Sequence, residues 1–329
     1  MMPETKVTKN YIFVLLENFS LLAFSSAIEP LRLANRMSQE KKFFWNLVCV
    51  EGNQVTCSNG TIINCDHNLE IPTNRADVII ICGGTNIKSN ITKKLLGWLR
   101  KESRKGLCIG GLCTATQVLA TAGLLDGKRC TIHWENRDSF LEDFPEHLLN
   151  ASVYTVDGNR YTAAGGVASA DLMLHLIGKE FGADLANSVA DQMIHTAIRT
   201  EKDDQRLSIP TRIGVRHPKL AAVLDLMQKS LEEPESPSKL ASQVGVSTRQ
   251  LERLFRRYLN RSPKRYYMEL RLQKSRNLLL QTNMTVINVA LACGFSSPSH
   301  FSKCYRSHFS NTPYRERGST DSDNHPAGL

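Results

Sequence analysis

Residues 241–272 read ASQVGVSTRQLERLFRRYLNRSPKRYYMELRL, and residues 289–317 read VALACGFSSPSHFSKCYRSHFSNTPYRER. In the first stretch the spacing predicts a short helix over 238–244, a turn at Gly245, and a second helix capped by Ser247 that runs to about Tyr258. Leu240, Ala241 and Val244 then face Val246, Leu251, Leu254 and Phe255, which turns Thr248, Arg249, Glu252, Arg253, Arg256 and Arg257 outward. An apolar helix pair closed on a tight turn beneath a basic face is the pattern of a helix-turn-helix, although an ordinary helical hairpin with a solvated charged face fits this stretch taken alone. The second stretch repeats the plan. A helix over 286–292 is followed by Cys293-Gly294-Phe295 as the turn, and Ser297 caps a helix from Pro298 to about His308. Proline suits the first helical position, where no intrahelical N–H bond is lost. This second unit turns Ser299, Ser302, Lys303 and Arg306 outward.

Between the two units, Ser262 and Pro263 start a helix that continues through Tyr266, Leu270, Leu272 and 278–280 to Gln281. Its roughly 19 residues span about 28 Å. Two reading helices held that far apart can enter successive major-groove turns on one face of a DNA duplex, ~34 Å apart. Charge supports the same partner. The chain carries 41 Lys and Arg against 32 Asp and Glu, and residues 212–318 alone hold 19 against 7. One third of the chain therefore supplies all of the excess, the mark of a nucleic-acid or membrane-surface module joined to a domain of another kind.

The other two thirds read differently. Over 11–200, short apolar runs at 11–16, 43–50, 77–82 and 106–109 have the composition of strands buried on both faces, and 21–37, 90–104, 114–123 and 168–198 have helical spacing. Strands alternating with helices imply a mostly parallel sheet covered on both sides, with ligands beyond the carboxyl ends of its strands. The polar stretch 200–217, with Pro210 and Gly214, reads as a linker, and 319–329 as a disordered tail. This places a flavodoxin-like α/β domain at 1–200, a linker at 201–217, and an all-α domain with two helix-turn-helix units at 218–318. No run approaches a membrane span and 11–16 lacks the signature of a secretory signal, so a cytoplasmic protein is expected. The 9 cysteines form no C-x-x-C pair, which speaks against a disulfide framework and a zinc site.

The two quoted stretches closely resemble the DNA-binding domain of the AraC/XylS family over about 218–318, through G-V-S-x-R-x-L-x-R-x-F and C-G-F-x-S-x-S-H-F-S-K-x-Y-R in order and at the family's separation. The resemblance assigns base reading to Arg249, Glu252 and Arg253 in the first unit and to Ser299, Ser302 and Lys303 in the second. Arg256 and Arg257 lie further along the first reading helix and should mainly meet phosphate, and Arg306 completes the DNA-binding face of the second.

Upstream, Gly110-Gly111-Leu112-Cys113-Thr114-Ala115 ends a strand and opens a helix, which would expose Cys113 on a tight turn beside helix N–H groups. This resembles the class I glutamine amidotransferase-like fold of the ThiJ/PfpI type. Its pairing with an AraC-like domain is similar to the GlxA group of regulators, as are the string from Leu119 to Gly127, Thr131-x-His133-Trp134 and TAAGGVASADLMLH at 162–175. Catalysis on this fold needs a thiolate lowered by an adjacent His with a carboxylate near it. Thr114 follows Cys113 here, Ser20 stands near where hydrolase relatives place a Glu, with Glu17 close, and in the regulators the His-Trp pair accompanies lost catalysis. Cys113 is therefore read as a degenerate elbow that lines a ligand site with Thr114, His133 and Trp134. Gly84 and Thr85 after one strand, and Gly166 before the helix at Ala168, have backbone N–H groups suited to a carboxylate and equally suit plain turns.

No cofactor or metal is expected, because no full G-x-G-x-x-G is present and His175 and His195 look like core residues on apolar helical faces. Asp171 either caps or lines the pocket. The R-x-x-x-D-D-Q-R string at 199–206 is most similar to regulators of choline, glycine betaine, carnitine or arginine catabolism, and Trp134 and Trp45 are candidates for an aromatic cage around a quaternary ammonium. The expected partners are double-stranded promoter DNA, a small-molecule effector, RNA polymerase and a second copy of the chain, in an activator rather than an enzyme. A thiol-dependent amidase or glyoxalase-like enzyme with a DNA-binding tail, and a constitutive regulator whose first domain only dimerises, are the alternatives.

Overall fold

The computed structural model describes residues 8–205 and 217–318, which fall into two compact units divided at Gln205. The expected tail at 319–329 and most of the expected linker, 206–216, lie outside the described residues.

The first unit contains β1 (Lys9–Leu15), β2 (Phe43–Cys49), β3 (Gln54–Thr56), β4 (Ile62–Asn64), β5 (His67–Asn68), β6 (Val78–Cys82), β7 (Cys108–Leu112), β8 (Arg129–Cys130), β9 (Leu148–Leu149), β10 (Tyr154–Asp157) and β11 (Arg160–Ala163). Its helices are α1 (Leu21–Ser38), α2 (Lys93–Ser103), α3 (Ala115–Thr121), α4 (Arg137–Asp143), α5 (Ala168–Phe181) and α6 (Ala183–Gln192). Seven strands form one sheet in the order β10-β11-β7-β6-β1-β2-β5, parallel at every pairing except β10 with β11. The central order is the flavodoxin-like one, and it changes direction at β1, where a parallel sheet opens its ligand crevice.

Strand periodicity divides the apolar residues between two cores. Phe13, Leu15, Ile80 and Cys82 point to the side covered by α1, α5 and α6, whereas Ile12, Val14, Ile79 and Ile81 point to the side covered by α2, α3 and α4. That two-sided burial is why these strands read as continuous apolar runs.

Three features differ from the sequence reading. β7 runs two residues beyond Gly110, because the glycines there belong to the strand: a side chain at Gly110 would stand 2.8 Å from Ile80 Cδ1. The helical pattern at 168–198 is two helices broken at Gly182, with His195 beyond the second. The antiparallel pair β10–β11 and the small pairs β3–β4 and β8–β9 carry too few residues to register as alternating patterns.

The second unit is all helical: α7 (Pro218–Lys229), α8 (Pro237–Gln243), α9 (Thr248–Leu259), α10 (Pro263–Gln281), α11 (Val286–Ala292), α12 (Pro298–Phe309) and α13 (Pro313–Gly318). Ser236, Ser247, Ser262, Thr285 and Ser297 each cap a helix by accepting from a backbone N–H three residues on, and Ser247 and Gln250 complete a reciprocal capping box. Each such cap contributes about 1 kcal/mol, which fixes the short helices in place. There are two cores. Leu220, Val223, Leu224, Leu240, Leu251 and Phe255 fill the first, and Leu278, Leu279, Val289, Phe295, Phe301 and Tyr305 the second, with α10 contributing to both.

Candidate ligand site and nucleic-acid interface

The loops after β7 and β11 meet at Cys113, and the loop after β6, itself bonded to the loop after β1, joins them through Thr114. The Cys113 φ of 61° places a non-glycine residue in the left-handed region, the strained turn that lifts the side chain above the sheet. The Cys113 N–H donates to Ala163 O at 2.9 Å, and Thr114 Oγ1 donates to Gly84 O at 2.7 Å. Gly165 closes the turn from the other side. Its φ is +90° and a Cβ there would stand 2.7 Å from the Cβ of Cys113, so only glycine fits. The His133 N–H reaches Cys113 O at 3.4 Å, which brings the His133–Trp134 pair beside the elbow, their rings 5.5 Å apart and Trp134 40% exposed.

This setting is unfavourable to a thiolate. Burial pushes the Cys113 thiol up to about 11, and the Glu135 carboxylate adds to the rise. Burial holds His133 below the ordinary imidazole range, and its Nδ1 accepts from the Glu135 N–H at 3.4 Å. Glu17 is exposed and its carboxylate accepts from Thr56 N–H at 3.3 Å, while Ser20 caps α1. The groups that would activate a nucleophile are thus committed elsewhere, and a half-exposed indole borders the elbow instead.

The remaining expected ligand residues are distributed around it. Gly84 lies under Thr114, and the Thr85 N–H already donates to Asn18 O at 3.0 Å, so that amide serves the loop junction. Gly166 precedes α5, and a Cβ added there would come within 3.9 Å of Leu22. Trp45 is elsewhere. Strand register sets it level with Tyr11 and Val78 at the amino end of the sheet, so it cannot join Trp134 in one cage. His195 and Asp171 overturn the expectation of a plain core histidine. Asp171 is fully buried and accepts from His195 Nε2 at 2.8 Å and from Arg199 Nη2 at 2.6 Å. His175, expected in the core, is exposed, its ring tilted 40° to that of Tyr154 with ring centres 5.4 Å apart. Among the described residues no group of three or more His, Cys, Asp or Glu is placed to hold a metal ion.

In the second unit, Arg249, Glu252, Arg253, Arg256 and Arg257 stand exposed along α9, at spacings that put them on one side of the helix, while Leu251 and Phe255 are buried on the other. On α12, Ser299, Lys303 and Arg306 are exposed and Ser302 is half-buried, above the buried Phe301 and Tyr305. Several arginines on and just before α10 are engaged internally. Arg261 and Arg265 pair with Glu269, and Arg276 pairs with Glu316 at 2.8 Å.

Arg271 carries a role the sequence reading did not single out. It donates to Cys293 O and Gly294 O, each at 2.7 Å, and its guanidinium lies 4.0 Å from the Phe295 ring centre. It therefore ties the middle of α10 to the turn of the second helix-turn-helix. Its only signal in the sequence is a cation within an otherwise apolar stripe.

Residues 12–179 match the model of the DJ-1/PfpI family, and residues 240–319 match that of a helix-turn-helix domain. Over 315 residues the chain is 42% identical to the HTH-type transcriptional regulator GbdR of Pseudomonas aeruginosa, a match that covers 96% of this chain and 86% of that protein. The chain belongs to the AraC-type regulators that carry a DJ-1/PfpI domain. It is 43% identical to the HTH-type transcriptional regulator CdhR of P. aeruginosa (94% of this chain, 92% of that protein) and 37% to GlxA of Rhizobium meliloti (92% and 93%). Among solved structures, an AraC family transcriptional regulator from Pseudomonas putida superposes with a TM-score of 0.52 at 27% identity, covering 56% of this chain and 99% of that one. Both matches span the elements described above: α9 and α12 each follow a short helix and a glycine turn within the second unit, and Cys113 stands on the turn between β7 and α3 within residues 12–179. No helix among the described residues is long and apolar enough to cross a membrane.

Proposed function

We propose that this AraC-type regulator activates transcription in the cytoplasm in response to a small metabolite. In this reading α9 and α12 read two half-sites of one promoter, a cationic or zwitterionic amine binds at the elbow, and a homodimer presents the DNA-bound units to RNA polymerase. The observation that carries it is the outward face shared by Arg249, Glu252 and Arg253 on α9 and its counterpart of Ser299, Ser302 and Lys303 on α12, joined by the 19-residue helix α10. Arginine suits bidentate contact with guanine, and Ser and Lys suit either bases or phosphates. Arg256, Arg257 and Arg306 lie further along each helix and are assigned to the DNA backbone.

For the effector, the half-exposed indole of Trp134 beside the carboxylate of Glu135 favours a ligand with a positive charge. Glycine betaine, choline, carnitine and L-arginine satisfy that chemistry. A thermal-shift series of the full chain against these four tests the assignment. One of them is expected to raise the melting temperature in the wild type and not in Trp134→Ala. An identical rise in both proteins would place the effector away from the elbow.

A further inference from the structure

The segment that leaves the first unit is not a free tether. Arg199 reaches the buried Asp171 of α5 with its backbone N–H at 2.9 Å, its Nε at 2.9 Å and its Nη2 at 2.6 Å. Asp203 then accepts from the Val153 N–H at 2.9 Å through its backbone carbonyl. Gln205, the last described residue before the chain continues toward the helix-turn-helix unit, donates its Nε2 to Thr131 Oγ1 and Ile132 O, each at 2.8 Å. Its Oε1 is buried and has no hydrogen-bond partner among the described residues.

Both anchors lead directly to the elbow. Ile132 immediately precedes His133, whose N–H meets Cys113 O. Asp171 lies in the first turn of α5, which begins three residues after Gly165, the glycine pressed against Cys113. A displacement at Cys113 or Trp134 therefore acts on both points that hold residues 199–205 down.

We infer that residues 199–205 are the coupling element of the sensor, docked through Asp171 and the Thr131–Ile132 backbone, and that occupancy of the elbow is passed to the DNA-binding unit by a change in this docking. The inference rests on the reading of the elbow as the effector site. Arg199 and Gln205 are positioning residues here: they hold the segment and touch neither effector nor DNA.

Amide hydrogen exchange on the full chain tests it whatever the effector is. Trp134→Ala and Gly165→Ala alter the elbow and leave the side chains of residues 199–205 as they are, and two variants guard against one failing to fold. Exchange over 199–205 is expected to quicken at least tenfold in either variant while β1 keeps its wild-type protection. Quickened exchange at 131–135 with 199–205 unchanged overturns the inference. Gln205→Ala supplies the functional arm, measured on a duplex recovered by selection with the wild-type chain. It is expected to shift DNA affinity at least fivefold in the absence of any effector, and affinity within twofold of wild type overturns coupling through this segment. Failure of the effector reading looks different: glycine betaine, choline, carnitine and L-arginine then leave the exchange of 131–135 unchanged, while the responses of Trp134→Ala and Gln205→Ala still decide the coupling.

Discussion

Replacing Gly294 by alanine should damage the second helix-turn-helix far more than the matching change at Gly245 damages the first, although both glycines sit in the same turn of a repeated unit. Both have left-handed backbone, with φ of +74° and +65°, and an alanine there costs about 1–2 kcal/mol in each case. The surroundings separate them. At Gly245 the nearest atom to an added Cβ is the flexible end of Lys219 at 3.9 Å, which can move aside. At Gly294 the Cβ would stand 2.7 Å from Leu231 O, 2.7 Å from Pro234 Cδ and 2.8 Å from Glu232 O, all on the connection between α7 and α8. Forcing that much volume into packed backbone costs a further ~1–3 kcal/mol. Gly294→Ala is thus expected to destabilise the unit by about 2–5 kcal/mol, against about 1–2 for Gly245→Ala. Because this contact and Arg271 together fix the turn of the second unit against the rest, the spacing of α9 and α12 should loosen as well. Urea denaturation followed by amide exchange over 218–318 measures the first effect, and binding to duplexes with altered half-site spacing measures the second. Equal destabilisation by the two substitutions, with spacing preference unchanged, would refute the role given to the Gly294 contact.

Other consequences are as direct. Cys113→Ala should leave inducible transcription largely intact, since no step depends on the thiol; loss of all induction at normal protein level and DNA affinity would contradict this. Since burial raises the Cys113 thiol to about 11, its alkylation by iodoacetamide should be slow near neutral pH and accelerate as pH rises toward that value. A rate already at its plateau near pH 8 would show an activated thiolate. Trp134→Ala should weaken the effector response in a reporter assay more than DNA binding in a gel shift, and equal losses would make the indole structural. Arg256→Ala and Arg257→Ala should lower affinity evenly across sequences and flatten its salt dependence, and a changed sequence preference would move these residues from phosphate to base contact.

The helical unit was legible because its punctuation is local. Ser262-Pro263 and Ser297-Pro298 state a cap and a first helical residue in two letters, and the structure starts α10 and α12 there. The parallel sheet was legible where strands are buried on both faces, as in Val78–Cys82, all five of which are buried. What escaped depends on partners distant in sequence. Gly110 and Gly111 resemble turn residues until Ile80 and Tyr161 are seen to press on one and Leu119 and the start of α3 on the other. Gly182 looks like a tolerated glycine inside a long apolar pattern, yet with φ of 94° it separates two helices and so removes His195 from the face assigned to it. The polar run at 199–205 has the composition of a linker, and only the position of Asp171, 28 residues before Arg199, shows that it is held. Trp45 and Trp134 are both aromatic, and only the strand register, which sets Trp45 at the amino end of the sheet, shows that Trp45 is remote from the elbow that His133 and Trp134 adjoin.

The central claim is that two reading helices on one rigid unit recognise two half-sites. Selection of DNA from a random library by the full chain, repeated with Arg253→Ala and Lys303→Ala, tests it most directly. The wild type should recover two short conserved blocks about one helical turn apart, ~34 Å. Arg253→Ala should relax one block and Lys303→Ala the other, each at a cost of about 1–3 kcal/mol. Recovery of the same two blocks by both variants, with only the affinity reduced, would contradict the account.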